Sequence, residues 1–414
     1  MNRTSLRLAA VVAGLAITTA ACGSAKSSTE KPASGSSATA AAAAVTGAAA
    51  TKTPAAELRA GLTYLLSEHV YLAGIATGTA ISKKGNLKDP AVVAAVNALD
   101  ANSVALSKAL GAAYPEAEAP FLKSWRQHIG FFVEYTLGKA TGNAAEVTKA
   151  KQELDGYRTS FGELIHSVVP ELPAAAVAEE LTPHVASLLA AIDAQVAGSP
   201  KQFALLDAAV GHMPGTAKIL AGGIAADKKL AGQTDDAAAD LRAGLTFLLT
   251  QHVYDAGIAI STAVANGGNL TKPAVQGAVG ALDANSVALS KALGSVYPDA
   301  ESPFLKSWRQ HIGFFVDYTL GKATKDAAKV TKARTELDGY RTSFGQLISS
   351  VVPELPSAAV ADELKPHVAS LFLAIDDVVG GSASTFKDLS TAAGHMPGTA
   401  ATLAGGIAEN KKLA

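Results

Sequence analysis

Histidine is the side chain whose charge changes near neutral pH and the commonest metal ligand, and eight of the nine histidines in this chain fall into four matched pairs. Sliding the 414 residues by 183 positions, without a gap, lays His69 on His252, His128 on His311, His184 on His367 and His212 on His395. His166 faces Ser349 and stands alone. Two of the three methionines, Met213 and Met396, each sit in a His-Met-Pro-Gly run. Imidazole with a thioether suits Cu(I), and imidazole alone also suits Zn. The candidate metal ligands are therefore His69, His128, His184, His212 and Met213, with His252, His311, His367, His395 and Met396 in the second copy. Two features weigh against a metal. The chain lacks HxxxH and HExxH, which place two ligands on one helix face. Adjacent helical residues also point about 100° apart, so His212 and Met213 share an ion only if Pro214 distorts the backbone.

Two other chemistries compete. Carboxylate-bridged di-iron bundles use Glu-x-x-His on paired helices. Glu163-Leu-Ile-His166 has that spacing, but the second copy reads Gln346-Leu-Ile-Ser349, which reads as solvated surface. Alternatively, the histidines form a core hydrogen-bond network with Asp100, Asp155, Asn102, Tyr157 or backbone carbonyls, and with Asn285 and Tyr340 in the second copy, locking the packing. The block Pro120–Thr141 matches Pro303–Thr324 except at Glu134/Asp317, and it carries Trp125, His128, Phe131, Phe132 and Tyr135. It reads as an aromatic core helix, or as one wall of a pocket for an apolar ligand. No Gly-x-Ser-x-Gly and no phosphate-binding glycine loop occurs, so nothing marks an enzyme.

The elements that must position these groups are helices. Leu58, Leu62, Leu65, Leu66 and Val70 follow helical spacing, stopping near Lys83-Lys84-Gly85-Asn86. Pro90 suits a first helical turn. Further helices are expected at roughly 117–140, 144–168, 174–197 and 201–229, with breaks at Gly142-Asn143, Pro170 to Pro173 and Gly198-Ser199-Pro200. Each copy thus reads as six helices, paired as three hairpins around a shorter His-containing repeat, with no strand pattern. Helices of similar length place the histidines, Asn102 and Tyr157 at one depth, a polar layer in an apolar bundle. Pro183 and Pro366 either start a helix or interrupt one beside a histidine. The expected organisation is a signal peptide at 1–21, a flexible tether at 22–54, a helical domain at 55–231 and its repeat at 237–414.

Charged residues are only 17% of the chain, the net charge is −1 and the pI is near 6.8. No basic stripe appears, which argues against nucleic acid and against electrostatic attraction to anionic lipid. Arg3 and Arg7, the apolar stretch Leu8 to Ile17 and small residues leading to Cys22 form an export signal. Cys22 is the only cysteine, so no internal disulfide is possible. Its position after small residues resembles a lipoprotein box, with Thr19 where leucine is usual. Lipid on Cys22 would anchor the chain to the outer face of the cytoplasmic membrane or elsewhere in the envelope. From Gly23 to Lys52 the composition is too poor in large apolar groups to offset ordering entropy.

Leu-x-x-His-Val, Leu-Asp-x-Asn, Trp-x-x-His-Ile-Gly-Phe-Phe-Val-x-Tyr and the final Gly-His-Met together resemble a duplicated His-containing helical domain of exported bacterial lipoproteins. The resemblance covers nearly all of 58–414 and implies the fold and export, with no established activity. Some members carry a copper amine oxidase label. That class matures its cofactor from the tyrosine of Asn-Tyr-Asp/Glu, and no Asn-Tyr occurs here. The expectation is an all-α, lipid-anchored envelope protein acting as a non-catalytic binding module for an envelope protein, a metal or a small ligand. The alternatives are a copper- or iron-dependent redox or storage protein, and a purely structural protein.

Overall fold

The computed structural model describes residues 45–414. The expected signal peptide, Cys22 and the first part of the tether lie outside the described residues. Those described are helical, with no strand among them. The helices are α1 (Pro54–Ser82), α2 (Pro90–Ala113), α3 (Glu118–Thr141), α4 (Ala144–Val168), α5 (Ala174–Val196), α6 (Gln202–Val210) and α7 (Met213–Lys228) in the first half. The second half has α8 (Ala237–Ala265), α9 (Pro273–Gly294), α10 (Glu301–Thr324), α11 (Ala327–Val351), α12 (Ser357–Gly380), α13 (Thr385–Ala393) and α14 (Met396–Lys411).

Local chemistry explains these bounds. Thr53, Asp89, Asn143 and Asp236 each accept a backbone N–H from the first turn of the helix that follows, supplying a partner that the helix itself cannot. Pro54, Pro90 and Pro273 occupy first-turn positions, where a missing N–H costs nothing. Gly142 ends α3 with φ +72°, the left-handed region that favours glycine.

The expectation of six helices per half is corrected to seven. The long segment at 201–229 breaks at Gly211-His212, and Pro214 stands in the first turn of α7. Proline has no N–H to give the carbonyl one turn back, so the ladder cannot run through. Pro183 and Pro366, by contrast, lie inside α5 and α12.

Part of the expected tether, Gly47–Lys52, is folded onto the helices. Gly47–Lys52 forms a 3-10 turn packed on the C-terminal helix, with Gly47 donating to the Leu413 carbonyl and Ala48 to Glu409. The Arg242 guanidinium adds a bond to the Thr51 carbonyl. Between the halves, Arg59 donates to the Thr234 carbonyl and pairs with Asp240.

Helices α1 and α8 lie side by side at the centre and are buried around most of their circumference. Helix α1 touches α2, α3, α5, α6 and α7, and α8 touches α9, α10, α12, α13 and α14. The halves also cross over: α6 packs on α9, and α13 packs on α2. One apolar core runs through both halves, and a smaller cluster (Ala256, Ala259, Ala278 and Leu282, with Phe203 against it) lies under the α6–α9 crossing.

Candidate functional site

Helices α1, α3 and α5 bring His69, His128 and His184 into one buried layer, and α8, α10 and α12 do the same for His252, His311 and His367. The Nε2 atoms of His69 and His128 are 3.3 Å apart, as are those of His252 and His311. Trp125 packs against both rings of its pair, at 4.8 Å and 4.6 Å between centroids, and Tyr157 stacks on His128 at 4.9 Å. Trp308 and Tyr340 repeat these contacts. Phe132 meets His184 edge-on at 6.3 Å.

Asn102 lies beside the pair. Both of its amide hydrogens are used, one on the Leu65 carbonyl at 3.0 Å and one on Glu68 Oε2 at 2.9 Å. Its Oδ1 and the nearby His69 Nδ1 are both buried without a hydrogen-bond partner. Which of the facing Nε2 atoms donates depends on the tautomers of the two rings. Asn285 donates likewise to the Leu248 carbonyl in the second half.

All six imidazoles are held neutral. Burial pushes His69 down to about 3, His184 adds to this, and Asn102 offsets part of it. Burial and then His212 bring His184 to about 4. His128 is driven well below the ordinary range by burial, then by His69 and His184, against a pull upward from the Trp125 carbonyl. In the second half His311 is pushed to about 3 and His367 to about 4, burial leading in each, and His252 is also driven well down.

Each layer floors an apolar cavity. In the first half Leu66, Phe121, Trp125 and Met213 line it, with His69 and His184 at the base. Leu249, Phe304, Trp308 and Met396 line its counterpart above His252 and His367. The volumes are about 50 Å³ and about 260 Å³. Ser295 and Val296, just past the end of α9 at Gly294, line the larger cavity, whereas α2 runs on to Ala113 and its residues 112 and 113 do not line the smaller one.

The polar atoms around the layer are poorly satisfied. Nδ1 of all three first-half histidines, Asn102 Oδ1, Trp125 Nε1 and Tyr157 OH are buried without a hydrogen-bond partner, and the six equivalent second-half atoms share that condition. Folded proteins rarely tolerate such clusters without a role for them.

The structure gathers some of the expected residues and not others. His69, His128, His184, Asn102, Tyr157 and Met213 come together, as do their second-half equivalents. His212 and His395 do not join the buried layer: the break before Pro214 and Pro397 places them at the corners starting α7 and α14, half-exposed, while Met213 and Met396 turn into the cavities. Among the described residues, no three of His, Cys, Asp and Glu converge in a way that holds a metal ion. Asp100 and Asp155 are not partners of the histidines. They pair with Arg126 and Arg158 near the surface. Glu163 and His166 are exposed, and His166 bonds to the Leu172 carbonyl.

Sequence reasoning missed the polar seam between α1 and α8. Tyr71 and Tyr254 stack there at 5.0 Å. Tyr71 donates to Asp207, whose buried neighbour is Asp255; burial raises both carboxyl pKa values, and Asp207 raises that of Asp255 further. Glu68 accepts from Tyr64, Tyr254 and Asn102. A signal existed, because these are the positions where the copies differ on otherwise similar helices: Glu68/Gln251, Leu72/Asp255 and Asp207/Ser390.

No family model, curated protein or solved structure matches this chain.

Proposed function

We propose that this chain is a cell-envelope lipoprotein of two tandem helical units that binds an uncharged, largely apolar small molecule in each, without catalysis. The observation that carries the reading is the duplicated cavity, apolar along its walls and ending on neutral histidines in both halves. Apolar walls supply roughly 25 cal/mol per Å² of ligand surface removed from water, and a few ring nitrogens fix orientation. A carboxylate head is disfavoured, because imidazoles with pKa values of about 3 to 4 offer no positive charge at pH 7. The same values make them weak general bases, whose effectiveness peaks when pKa lies near the working pH. Export and lipid on Cys22 are supported by Arg3, Arg7, Leu8 to Ile17 and the small residues before the cysteine.

A second reading, copper or zinc in a storage or redox role, has one observation in its favour. The 3.3 Å between paired Nε2 atoms matches the edge of a tetrahedral site with metal–nitrogen bonds of about 2.0–2.1 Å. Neither His184 nor His367 completes such a group, so the apolar ligand is preferred.

The test is titration of the soluble portion, Ser24 to Ala414, with an environment-sensitive fluorescent long-chain alcohol, alongside metal analysis of chelator-free protein. Binding that saturates and drops by about one equivalent in Met396→Trp supports the reading. Absence of probe binding, with about two equivalents of copper or zinc lost in His128→Leu/His311→Leu, overturns it in favour of metal.

A further inference from the structure

Beyond the histidine cavities, the two crossings between the halves differ sharply. Where α6 lies on α9, Gly277 lets the chains meet: a Cβ there would stand 2.5 Å from the Pro200 carbonyl oxygen and 3.1 Å from the Phe203 ring. Phe203 packs against the small cluster beneath and closes that crossing. At the equivalent crossing of α13 on α2, Gly277 is replaced by Ala94 and Pro200 by Ala383. The extra methyl forbids the close approach, and a groove of about 770 Å³ is left open.

The floor of the open groove is Glu68, and its equivalent at the closed crossing is the neutral Gln251. Glu68 is 6% exposed and hydrogen-bonded by neutral donors only: Tyr64 at 2.9 Å and Tyr254 at 2.8 Å on Oε1, and Asn102 at 2.9 Å on Oε2. A carboxylate has about four lone-pair sites, so one on Oε2 is left over. A buried carboxylate without a cation is costly; on the α6 side the buried carboxyls Asp207 and Asp255 face each other and Tyr71, whereas Glu68 stands alone among neutral donors at the open groove. The α2 wall is small and apolar, built from Ala94, Ala98, Ala101 and Ala105. Lys387, exposed in solvent, stands at the rim.

We infer that the α2–α13 groove binds a small aliphatic ammonium ion, its charged nitrogen on Glu68 Oε2 and its alkyl body along the alanine wall. The second half holds no such site, because Pro200 closes over Gly277 there and Gln251 carries no charge.

The test uses the soluble portion, Ser24 to Ala414, titrated calorimetrically with n-butylammonium and n-hexylammonium chloride, with n-butanol as the uncharged control. Glu68→Gln copies the residue already present at position 251, so the fold has a precedent for it. Ala101→Phe blocks the groove from an exposed position and leaves Glu68 untouched. The expected result is one equivalent of alkylammonium, at least tenfold weaker in Glu68→Gln and in Ala101→Phe, with no comparable binding of n-butanol. Gln251→Glu should add no second equivalent, and Lys387→Ala should tighten binding two- to threefold. Equal binding by wild type and Glu68→Gln overturns the inference, as does no binding up to about 10 mM. Alkylammonium binding lost in Met396→Trp but kept in Glu68→Gln places the probe in the histidine cavity and also overturns it. Failure of the long-chain alcohol to bind bears on the cavities alone.

Discussion

The two halves share nearly every side chain around their histidines, yet they differ at the mouth of the cavity and at the crossing helix. The first half has the smaller cavity and the open groove over Glu68, and the second has the larger cavity and a closed crossing over Gln251. Identity of lining does not therefore mean identity of site. The residues after Gly294 line the larger space, and a methyl at residue 94 stands where residue 277 has a hydrogen at the other. The duplication leaves the neutral histidine layer as what the halves have in common, and the surfaces around it as where they diverge.

Acid should strike the common feature hardest. A histidine whose folded pKa is lowered contributes stability that is present above its unfolded pKa of about 6.5 and lost as pH falls toward the folded value. Four of the six buried rings have values of about 3 to 4. Each therefore forfeits about 1.4 kcal/mol per pH unit below about 6.5, and these four together reach the order of 10 kcal/mol near pH 4.5, comparable to the whole stability of a typical domain. Urea midpoints between pH 7 and pH 4.5 should fall steeply. A flat profile would mean that the histidines are hydrated, and the supposed likeness of the halves would lose its main support.

The difference between the crossings is sharpened by Gly277→Ala, which installs the second-half equivalent of Ala94. The new methyl meets the Pro200 carbonyl oxygen, and overpacking of this kind costs about 1–3 kcal/mol. The reverse change, Ala94→Gly, should cost no more than about 1 kcal/mol, the usual helix penalty. Thermal unfolding of both variants checks the asymmetry, and equal losses would remove the explanation for the open groove.

The smallest expected effect belongs to the seam. Asp207 and Asp255 have raised pKa values, from burial first. A carboxyl of this type contributes stability fully below its unfolded pKa of about 3.9 and loses it as pH rises through the folded value. Asp255→Leu, which copies Leu72, should leave stability near pH 4 within about 1 kcal/mol of wild type and flatten its decline above that, a gain of about 1–2 kcal/mol at pH 8. A variant whose pH profile above pH 4 parallels the wild type would show that the pair holds no proton.

Much of the candidate site was legible. Three of the four histidine pairs, Asn102 and Tyr157 lie near mid-helix, at one depth, as the helix lengths put them. His212 was not, because its place depends on whether the chain before Pro214 continues as helix or turns. The Asp100 and Asp155 pairings were lost to Arg126 and Arg158, which approach from other turns or other helices. Glu68, Asp207 and Asp255 went unnoticed because each looks like an ordinary helix-surface carboxylate until a second helix covers it.

The sequence by itself determined the helices and their duplication, since caps, prolines and glycines act over a few residues and recur with the 183-residue offset. Only the tertiary structure decided that α1 and α8 meet, that α6 and α13 cross to the other half, and how wide each space is. Those outcomes depend on contacts between residues far apart in the chain, where one methyl group decides whether two helices touch.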